Sequence, residues 1–482
     1  MIVGGGISGL ATAHFLQKEG AKIGASFDCT IIESEDRLGG NIQTKNIDGI
    51  VMEAGPDSFF TPKPQALDLC EELGLAERLV GINPARSRAR VFVGGKLRTL
   101  PEGLTSGVPT KLEPFLTSEL LTPWGKFRML CELLVSRRGE QGDESLASFI
   151  RRRFGTQALE RIGEPLMAGI YAGDAEQLST STNFPQLVKL EVEHRSLILG
   201  MLSTKRDAPP IRDSSSSRPM FMTLRGGLQV MVDALVSQLK NTAFITKTKV
   251  INLRTIASES CGYELELNDG RVINADCVVL ATPAYISANI LRQSNPSSAS
   301  ILKSIPYVST ATVSLVYNSS SVLNPLDGSG FVVSPVEKRK ITACTWVSSK
   351  WPTHSPPGKV LLRCFLGRAG DEEILNQRDD EICKTVREEL RSILGISAEP
   401  LLSRVCRFAN ALPQYNLGHG EKLAQLDHEM ASLPGVFLTG AAYRGVGLPD
   451  CIKQGALTAK NVVSFLDREM RIMSVEKKQL VH

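Results

Sequence analysis

The sequence predicts an α/β fold: a discontinuous Rossmann-like dinucleotide-binding domain, a β-rich second lobe and an inserted helical lobe. Three observations carry that expectation. Met1 to Gly9 reads MIVGGGISG, a short apolar run followed by Gly4, Gly6 and Gly9 in G-x-G-x-x-G spacing. This is a strand feeding a tight turn and a helix from Leu10 to Lys18. The first glycine permits the turn, the second lets backbone N–H groups reach a pyrophosphate, and the third lets the helix pack on the sheet. Gly5, Ile7 and Ser8 sit at the mouth of that helix, where its partial positive charge favours phosphates. Secondly, Thr30 to Glu33 is a strand ending in a carboxylate, placed where a ribose-binding acid belongs. Thirdly, Thr310 to Tyr317, Gly330 to Val333, Ile341 to Val347 and Lys359 to Leu366 are β-rich and suggest a second sheet.

Composition narrows the function classes. A chain of 482 residues has room for two or three lobes, and 42% hydrophobic with 22% charged residues is ordinary for a globular protein. A net charge of +4 gives no basic footprint for nucleic acid. The ten cysteines are scattered without C-x-x-C pairs, which reads as free thiols in a cytosolic setting rather than disulfides or metal ligands. No run reaches the ~18 apolar residues of a membrane span, and no signal peptide precedes the first strand, which is itself short by a residue or two.

After the first helix, Gly20 to Cys29 reads as a surface insertion, and the second strand continues into Ser34-Glu35-Asp36-Arg37-Leu38-Gly39-Gly40-Asn41. The E-x-x-x-R-x-G-G pattern of Glu33, Arg37, Gly39 and Gly40 resembles the amine-oxidase-like superfamily of flavoproteins, in which it holds FAD. A plain nicotinamide domain would leave the second glycine pair unexplained. Next comes Glu53-Ala54-Gly55-Pro56-Asp57. Alone it is a Gly-Pro turn; placed here it resembles the superfamily's strip along the flavin ring.

Pro64 to Val80 is an amphipathic helix, and Ala89 to Val93 a short strand turning at Gly94-Gly95. Ser118 to Arg138 combines Trp124, Phe127 and several leucines with Lys126, Arg128, Arg137 and Arg138. It reads as a core helix with a solvated basic face, or as a membrane-surface helix. Ser145 to Phe154 is a further helix, and Glu164 to Leu178 is interrupted by Gly169 and Gly173, where something comes close to the backbone. Ser203 to Arg218 is a polar, Ser-rich linker. Leu224 to Gly227 opens a helix to Leu239, followed by strands Ile245 to Val250, Gly262 to Leu267 and Val278 to Ala281. Asp379 to Leu394 is a helix. Finally Gly435 to Gly440 is a strand into a glycine turn, and Tyr443 to Cys451 leads a helix through Leu466. Such a junction aims N–H groups at a developing negative charge, here the flavin N1 and O2 region.

The segments Ala168 to Asp174, His194 to Gly200, Leu412-Pro413-Gln414-Tyr415 and Gly445 to Cys451 closely resemble the oxygen-dependent porphyrinogen oxidases of haem biosynthesis. The resemblance implies FAD, dioxygen as electron acceptor, hydrogen peroxide as by-product, and a cytoplasmic enzyme with peripheral contact on the cytoplasmic face of the membrane. It divides the chain into an FAD-binding domain (1–74, 221–282, 402–470), a substrate domain (75–84, 201–220, 283–401), a helical domain (85–200) and a tail (471–482). It places Val250 against the adenine, and Gly440, Val446, Gly447 and Leu448 at the flavin, with Phe408 where relatives often have tryptophan. A carbonyl at Gly169 approaches the tetrapyrrole, while Val333, Trp346 and Phe365 sandwich it; core packing is the alternative for those three. It supplies no catalytic acid or base, because the cofactor is the acceptor.

One departure bears on the substrate. Protoporphyrinogen oxidases of plant and animal type carry a propionate-binding arginine where this chain has Ala89, and Arg88 and Arg90 should face the other way. That absence, the Gly20 to Cys29 loop and the wording Thr342 to Trp346 resemble the Gram-positive branch, which oxidises coproporphyrinogen III; Lys63 matches its propionate-facing cation. Protoporphyrinogen IX is the second candidate substrate, and a flavin-bound scaffold without turnover is the reading of another class.

Overall fold

The computed structural model describes residues 1–105, 108–139, 142–207, 219–256 and 262–479. At its centre is a five-stranded parallel sheet in the order Thr242–Ile245, Cys29–Ile32, Ile2–Val3, Val278–Leu280, Val436–Leu438. Its registers place Ile2 between Ile31 and Val279, and Val279 beside Phe437. The inner strands are apolar on both faces because both are covered, as parallel sheets require. On one face lie the helix Ile7–Lys22 and the helix Leu448–Gln479. These two helices approach so closely at Gly455 that an added Cβ there would sit 2.9 Å from the Ser8 carbonyl oxygen. A second layer of strands, Val250–Thr255, Tyr263–Leu267 and Val272–Ala275, packs on the other face.

The second lobe is a seven-stranded sheet in the order Leu402–Pro413, Tyr307–Asn318, Lys359–Leu366, Ala343–Trp346, Gly330–Val333, Ala89–Val93, Lys96–Thr99. Strand alternation gives it two different faces. Phe331, Val333, Trp346, Leu362 and Cys364 form a core with Ile382, Val386 and Leu390 of the helix Asp379–Leu394. That helix ends at Gly395, left-handed at φ 71°. The opposite face carries Thr312, Arg363 and Phe365, and Thr312 and Arg363 reach the carbonyl of Ala54 in the first lobe.

The helical lobe is held by buried charge. Glu132, fully buried, accepts the Ser196 hydroxyl at 2.6 Å and the Leu197 N–H at 2.8 Å. Arg153, equally buried, lies 3.5 Å from Glu132 and donates to the carbonyls of Val135 (3.0 Å) and Arg195. Arg152 bridges Glu144 and Glu191 next to it. Ser145 caps the helix Leu146–Phe154 by accepting the Ser148 N–H.

Several expected elements differ. The first helix starts at the glycine turn and runs to Lys22, absorbing part of the Gly20 to Cys29 insertion. Pro64 to Val80 is not one helix: Gln65–Glu72 stops before Gly74, left-handed at φ 74°, and Leu79–Gly81 is a strand. Ile245 to Val250 divides into the ends of two strands, Thr242–Ile245 and Val250–Thr255, with Lys247 at φ 54° between them. Phe221–Leu224 is a strand, so the next helix begins only at Gln229. The linker expected from Ser203 starts inside the helix Leu197–Asp207, and its remainder, 208–218, lies outside the described residues. Leu402–Pro413 and Ala89–Thr99 hydrogen-bond into the seven-stranded sheet, across the limits drawn for the substrate domain. Of the expected tail 471–482, residues to Gln479 continue the last helix and 480–482 lie outside the described residues.

Candidate active site

Two glycine loops meet at the carboxyl ends of the parallel strands. Gly4 is at φ 107° and donates to the Ile32 carbonyl at 2.8 Å; a Cβ on Gly5 would strike Leu38, and one on Gly9 would lie 2.0 Å from the Gly4 carbonyl oxygen. The helix from Ile7 therefore rises directly off the turn. No side chain caps its N-terminus and its first turn holds no acid, so the N–H groups of Ile7, Ser8 and Gly9 have no intrahelical acceptor and face outward from the helix end. Gly40, at φ 58°, approaches so closely that its Cβ would come 3.1 Å from the Gly6 Cα, and the Gly39 N–H bonds the Gly5 carbonyl at 2.8 Å. Arg37 holds this second loop from within, donating to the carbonyls of Ile42 (3.0 Å) and Gly40.

Glu33 is buried at the strand end and accepts the N–H groups of Gly5 (2.7 Å) and Glu35 (2.9 Å) and the Ser34 hydroxyl (3.1 Å). Val250 is buried against Val3 and Ile32. From the far end of the chain, Gly440, at φ 129°, faces Ser8, and Val446-Gly447-Leu448 opens the terminal helix, where the Cys451 N–H reaches the Gly447 carbonyl at 2.9 Å. The neighbouring Thr439 hydroxyl is buried with no partner among the described residues.

The strip Glu53 to Asp57 crosses between the two lobes. Gly55 lies against the Asn41 carbonyl, with the half-buried Phe408 ring in contact beyond it. Arg363 is buried behind the strip. It donates to the carbonyls of Ala54 (2.6 Å) and Gly55 and rests its guanidinium 4.7 Å from the Phe365 ring centroid. Thr312 adds a third bond, to the Ala54 carbonyl at 3.0 Å. Burial lowers the Arg363 pKa against the pull of Asp57 and Glu53. Burial disfavours the Asp57 charge as well, but Lys350 at 2.9 Å and Arg363 outweigh it and hold that carboxyl well below its usual range.

Glu53 goes the other way. Burial pushes it from 4.5 to about 7, against hydrogen bonds from the Leu228 N–H (2.6 Å) and Thr44 hydroxyl (2.7 Å) and the attraction of Arg363. Its pKa is raised on folding, so its contribution to stability is complete below about 4.5 and is lost as pH rises through about 7. The difference corresponds to about 3 kcal/mol. Glu53→Gln keeps the shape and the acceptor for Leu228. The parent is expected to lose thermal midpoint between pH 5 and 8 and the variant to lose less, and a variant that keeps the parent slope refutes this assignment.

On the second lobe, Phe365 shares a face with Thr312 and Ala343, its cross-strand partners, and remains half-exposed. Gly169 is exposed near the end of the helix Glu164–Tyr171, where an added Cβ would sit 3.0 Å from Val332. Val333 and Trp346 are a correction. They are 4% and 1% exposed, on the reverse face of the sheet in the core with the helix Asp379–Leu394. The alternation that sends Phe365 to the cleft sends both away from it. Arg90 does face away from Ala89, with its guanidinium 5.7 Å from the Trp346 ring centroid. Lys63 is exposed and held by both Asp450 oxygens at 2.7 and 2.8 Å. Sequence reasoning missed Arg363, Thr312 and Val332. The one available signal was a charged residue inside the apolar strand KVLLRCFL, which in a buried strand must be paired.

These residues fit FAD. The first lobe brings together an uncapped helix N-terminus, the glycines Gly4, Gly5 and Gly9 at which an added Cβ would clash, the buried Glu33 carboxylate at a strand end and an orphaned Thr439 hydroxyl. Fold and site together define a flavin-dependent oxidoreductase, with FAD as its cofactor. The pattern described as flavin containing amine oxidoreductase matches residues 7–463, and the chain belongs to that family. It is 39% identical to a coproporphyrinogen III oxidase from Bacillus subtilis (strain 168), over 97% of this chain and 98% of the relative. It is 33% identical to the chloroplastic protoporphyrinogen oxidase 1 of Spinacia oleracea, over 97% and 84%. A crystal structure from Exiguobacterium sp. 255-15, provisionally assigned as a protoporphyrinogen oxidase, superposes with a TM-score of 0.84 at 32% identity, covering 97% of this chain and 98% of that one.

Proposed function

We propose that this protein oxidises coproporphyrinogen III to coproporphyrin III, with dioxygen as the final acceptor and hydrogen peroxide as the by-product. The observation that carries the choice of substrate is Ala89 itself, a half-buried alanine at the position expected to hold an arginine in the protoporphyrinogen type, with Arg90 turned to the reverse face, while Lys63 stands exposed on the other lobe. A tetracarboxylate can recruit Lys63 through a propionate in exchange for Asp450. The greater identity to the Bacillus subtilis relative than to the spinach one supports the same choice.

When bound, FAD supplies two-electron acceptance, and six hydrogens leave the macrocycle in successive cycles. The chain's own residues orient the substrate and exclude water. Glu33, the N–H groups of Ile7, Ser8 and Gly9, and the Gly440 turn would hold the cofactor, Val250 would border the adenine, and Gly55, Pro56 and Phe408 would border the ring. Phe365 and Val332 would offer apolar contact to the macrocycle, and Gly169, packed beside Val332, would present its carbonyl to it. Asp57 and Arg363 are consumed by internal pairing, so neither serves as a general acid or base. Turnover of the two porphyrinogens by purified, FAD-loaded protein, followed by porphyrin fluorescence and peroxide release, decides the matter. A preference for coproporphyrinogen III is expected and a preference for protoporphyrinogen IX overturns it. A yellow protein giving neither signal would be the non-catalytic scaffold.

The reading includes peripheral contact of the helical lobe with the cytoplasmic face of the membrane. No helix among the described residues is long and apolar enough to cross a bilayer. The lobe's tip, however, exposes Trp124 (73%), Phe127 (57%) and Leu134 (76%), with Arg137 also exposed. The two aromatic rings are 5.4 Å apart, and burying such side chains is worth on the order of 1.5–3 kcal/mol each. Co-sedimentation with phosphatidylglycerol vesicles is expected, weakened roughly tenfold or more by Trp124→Ser with Phe127→Ser. Protein that stays in the supernatant at low salt removes this part of the proposal.

A further inference from the structure

The segment Leu412-Pro413-Gln414-Tyr415 has no part in the chemistry above, yet it is tied to both sides of the cleft. The Tyr415 ring is buried and stacked on His419, centroids 4.2 Å apart and planes within 12°. Its hydroxyl donates to the Ala441 carbonyl at 2.6 Å and accepts the Gly445 N–H at 2.8 Å. One oxygen atom thus closes the turn that begins at Gly440 and leads into the terminal helix. The turn's other ties are the Thr439 N–H to Leu280 at 3.0 Å, a long Tyr443 N–H to Gly440 contact at 3.4 Å, and Gln454 of the terminal helix, which accepts the Arg444 N–H and donates to the Gly445 carbonyl, each at 3.2 Å. His419, beneath the ring, adds a contact from Nε2 to the Tyr443 carbonyl at 3.1 Å. Burial pushes the Tyr415 phenol far above its usual range, so it stays a neutral hydroxyl that both donates and accepts.

The other arm reaches the helix that presents Gly169. The Tyr415 carbonyl accepts the Ser179 N–H at 2.9 Å and the Asn183 amide at 2.8 Å, and Gln414 Nε2 donates to the Tyr171 carbonyl at 3.0 Å. Tyr171 ends that helix, and its carbonyl would otherwise have no acceptor role within it. We propose that Tyr415 is a positioning residue that fixes the Gly440–Gly447 turn against the cofactor, and that Gln414 holds the Gly169 helix at a set distance from that turn. The Gln414 half rests on the porphyrinogen reading; the Tyr415 half requires only bound flavin.

The test uses FAD-loaded full-length protein carrying Tyr415→Phe or Gln414→Met. Tyr415→Phe removes one oxygen and leaves the stack on His419. It also leaves a buried N–H and a carbonyl unpaired, so amide exchange across 440–447 should quicken about tenfold while exchange in the parallel strands holds. The visible circular dichroism of the bound flavin should change, and kcat on coproporphyrinogen III should fall about tenfold with KM little altered. Gln414→Met should instead quicken exchange at 168–173 and raise KM, with the flavin signal unchanged. Unchanged exchange and flavin signal in Tyr415→Phe overturn the proposal, as does a loss of protection spread evenly over the chain, which would make Tyr415 an ordinary core residue. Parent protein that binds flavin but oxidises no porphyrinogen defeats the substrate reading alone, and the exchange and dichroism results still decide the Tyr415 half.

Discussion

Replacing Gly9 by alanine is expected to give a protein that is purified colourless and does not take up FAD on reconstitution. Helix propensity alone argues the opposite, since alanine in a helix is favoured over glycine by about 1 kcal/mol. The added Cβ, however, would lie 2.0 Å from the Gly4 carbonyl oxygen, which is backbone inside the turn and has no rotamer to yield with. Relief requires the helix to move off the turn by more than 1 Å, roughly, which withdraws the N–H groups of Ile7 and Ser8 from the phosphate position. Flavin absorbance per polypeptide is the measurement. A variant that holds as much flavin as its parent would show that the first loop does not grip the cofactor.

The second large effect is expected far from the cofactor. Arg153→Met deletes the cation facing Glu132 in a place where both side chains are fully buried. The carboxylate retains the Ser196 hydroxyl and the Leu197 N–H but loses its counter-charge, and breaking such a pair costs about 3–5 kcal/mol. Thermal unfolding should show the loss. The double variant Arg153→Met with Glu132→Met should recover much of it, because two apolar groups leave no stranded charge. If the double variant is no better than the single one, the pair is not what holds the segment Glu132 to Arg138 to the helix Leu146–Phe154.

The parts of the fold that were legible were those in which local chemistry has few solutions. Gly4 and Gly9 could be read because close approach of the backbone excludes a side chain there, and Asp379 to Leu394 because its apolar stripe has only one helical register. Lys359 to Leu366 was readable as a strand from its β-branched and apolar run. What the pattern could not supply was which side of the sheet each residue would face. Val333 and Trp346 look as available to a ligand as Phe365 does until strand register is known, and register is set by distant partners such as Ala89 and Cys364. The strand Leu402–Pro413 was missed because, at a sheet edge, its sequence LSRVCRFANALP is polar on both faces. Gly74 was passed over inside Pro64 to Val80 since a leucine periodicity continues across it, though its backbone has already turned.

The close seating of the final helix against the first one at Gly455 and Ser8 has a bearing on biosynthesis. The strand next to it, Val436–Leu438, completes the parallel sheet from its outer side, so a growing chain lacks one wall of the nucleotide groove until more than four hundred residues after the first glycine loop have been added. Tight capture of the vitamin-derived group therefore waits for this late strand and helix to join a lobe whose other strands were made long before, and premature stops ahead of Val436 should leave only the empty apoprotein.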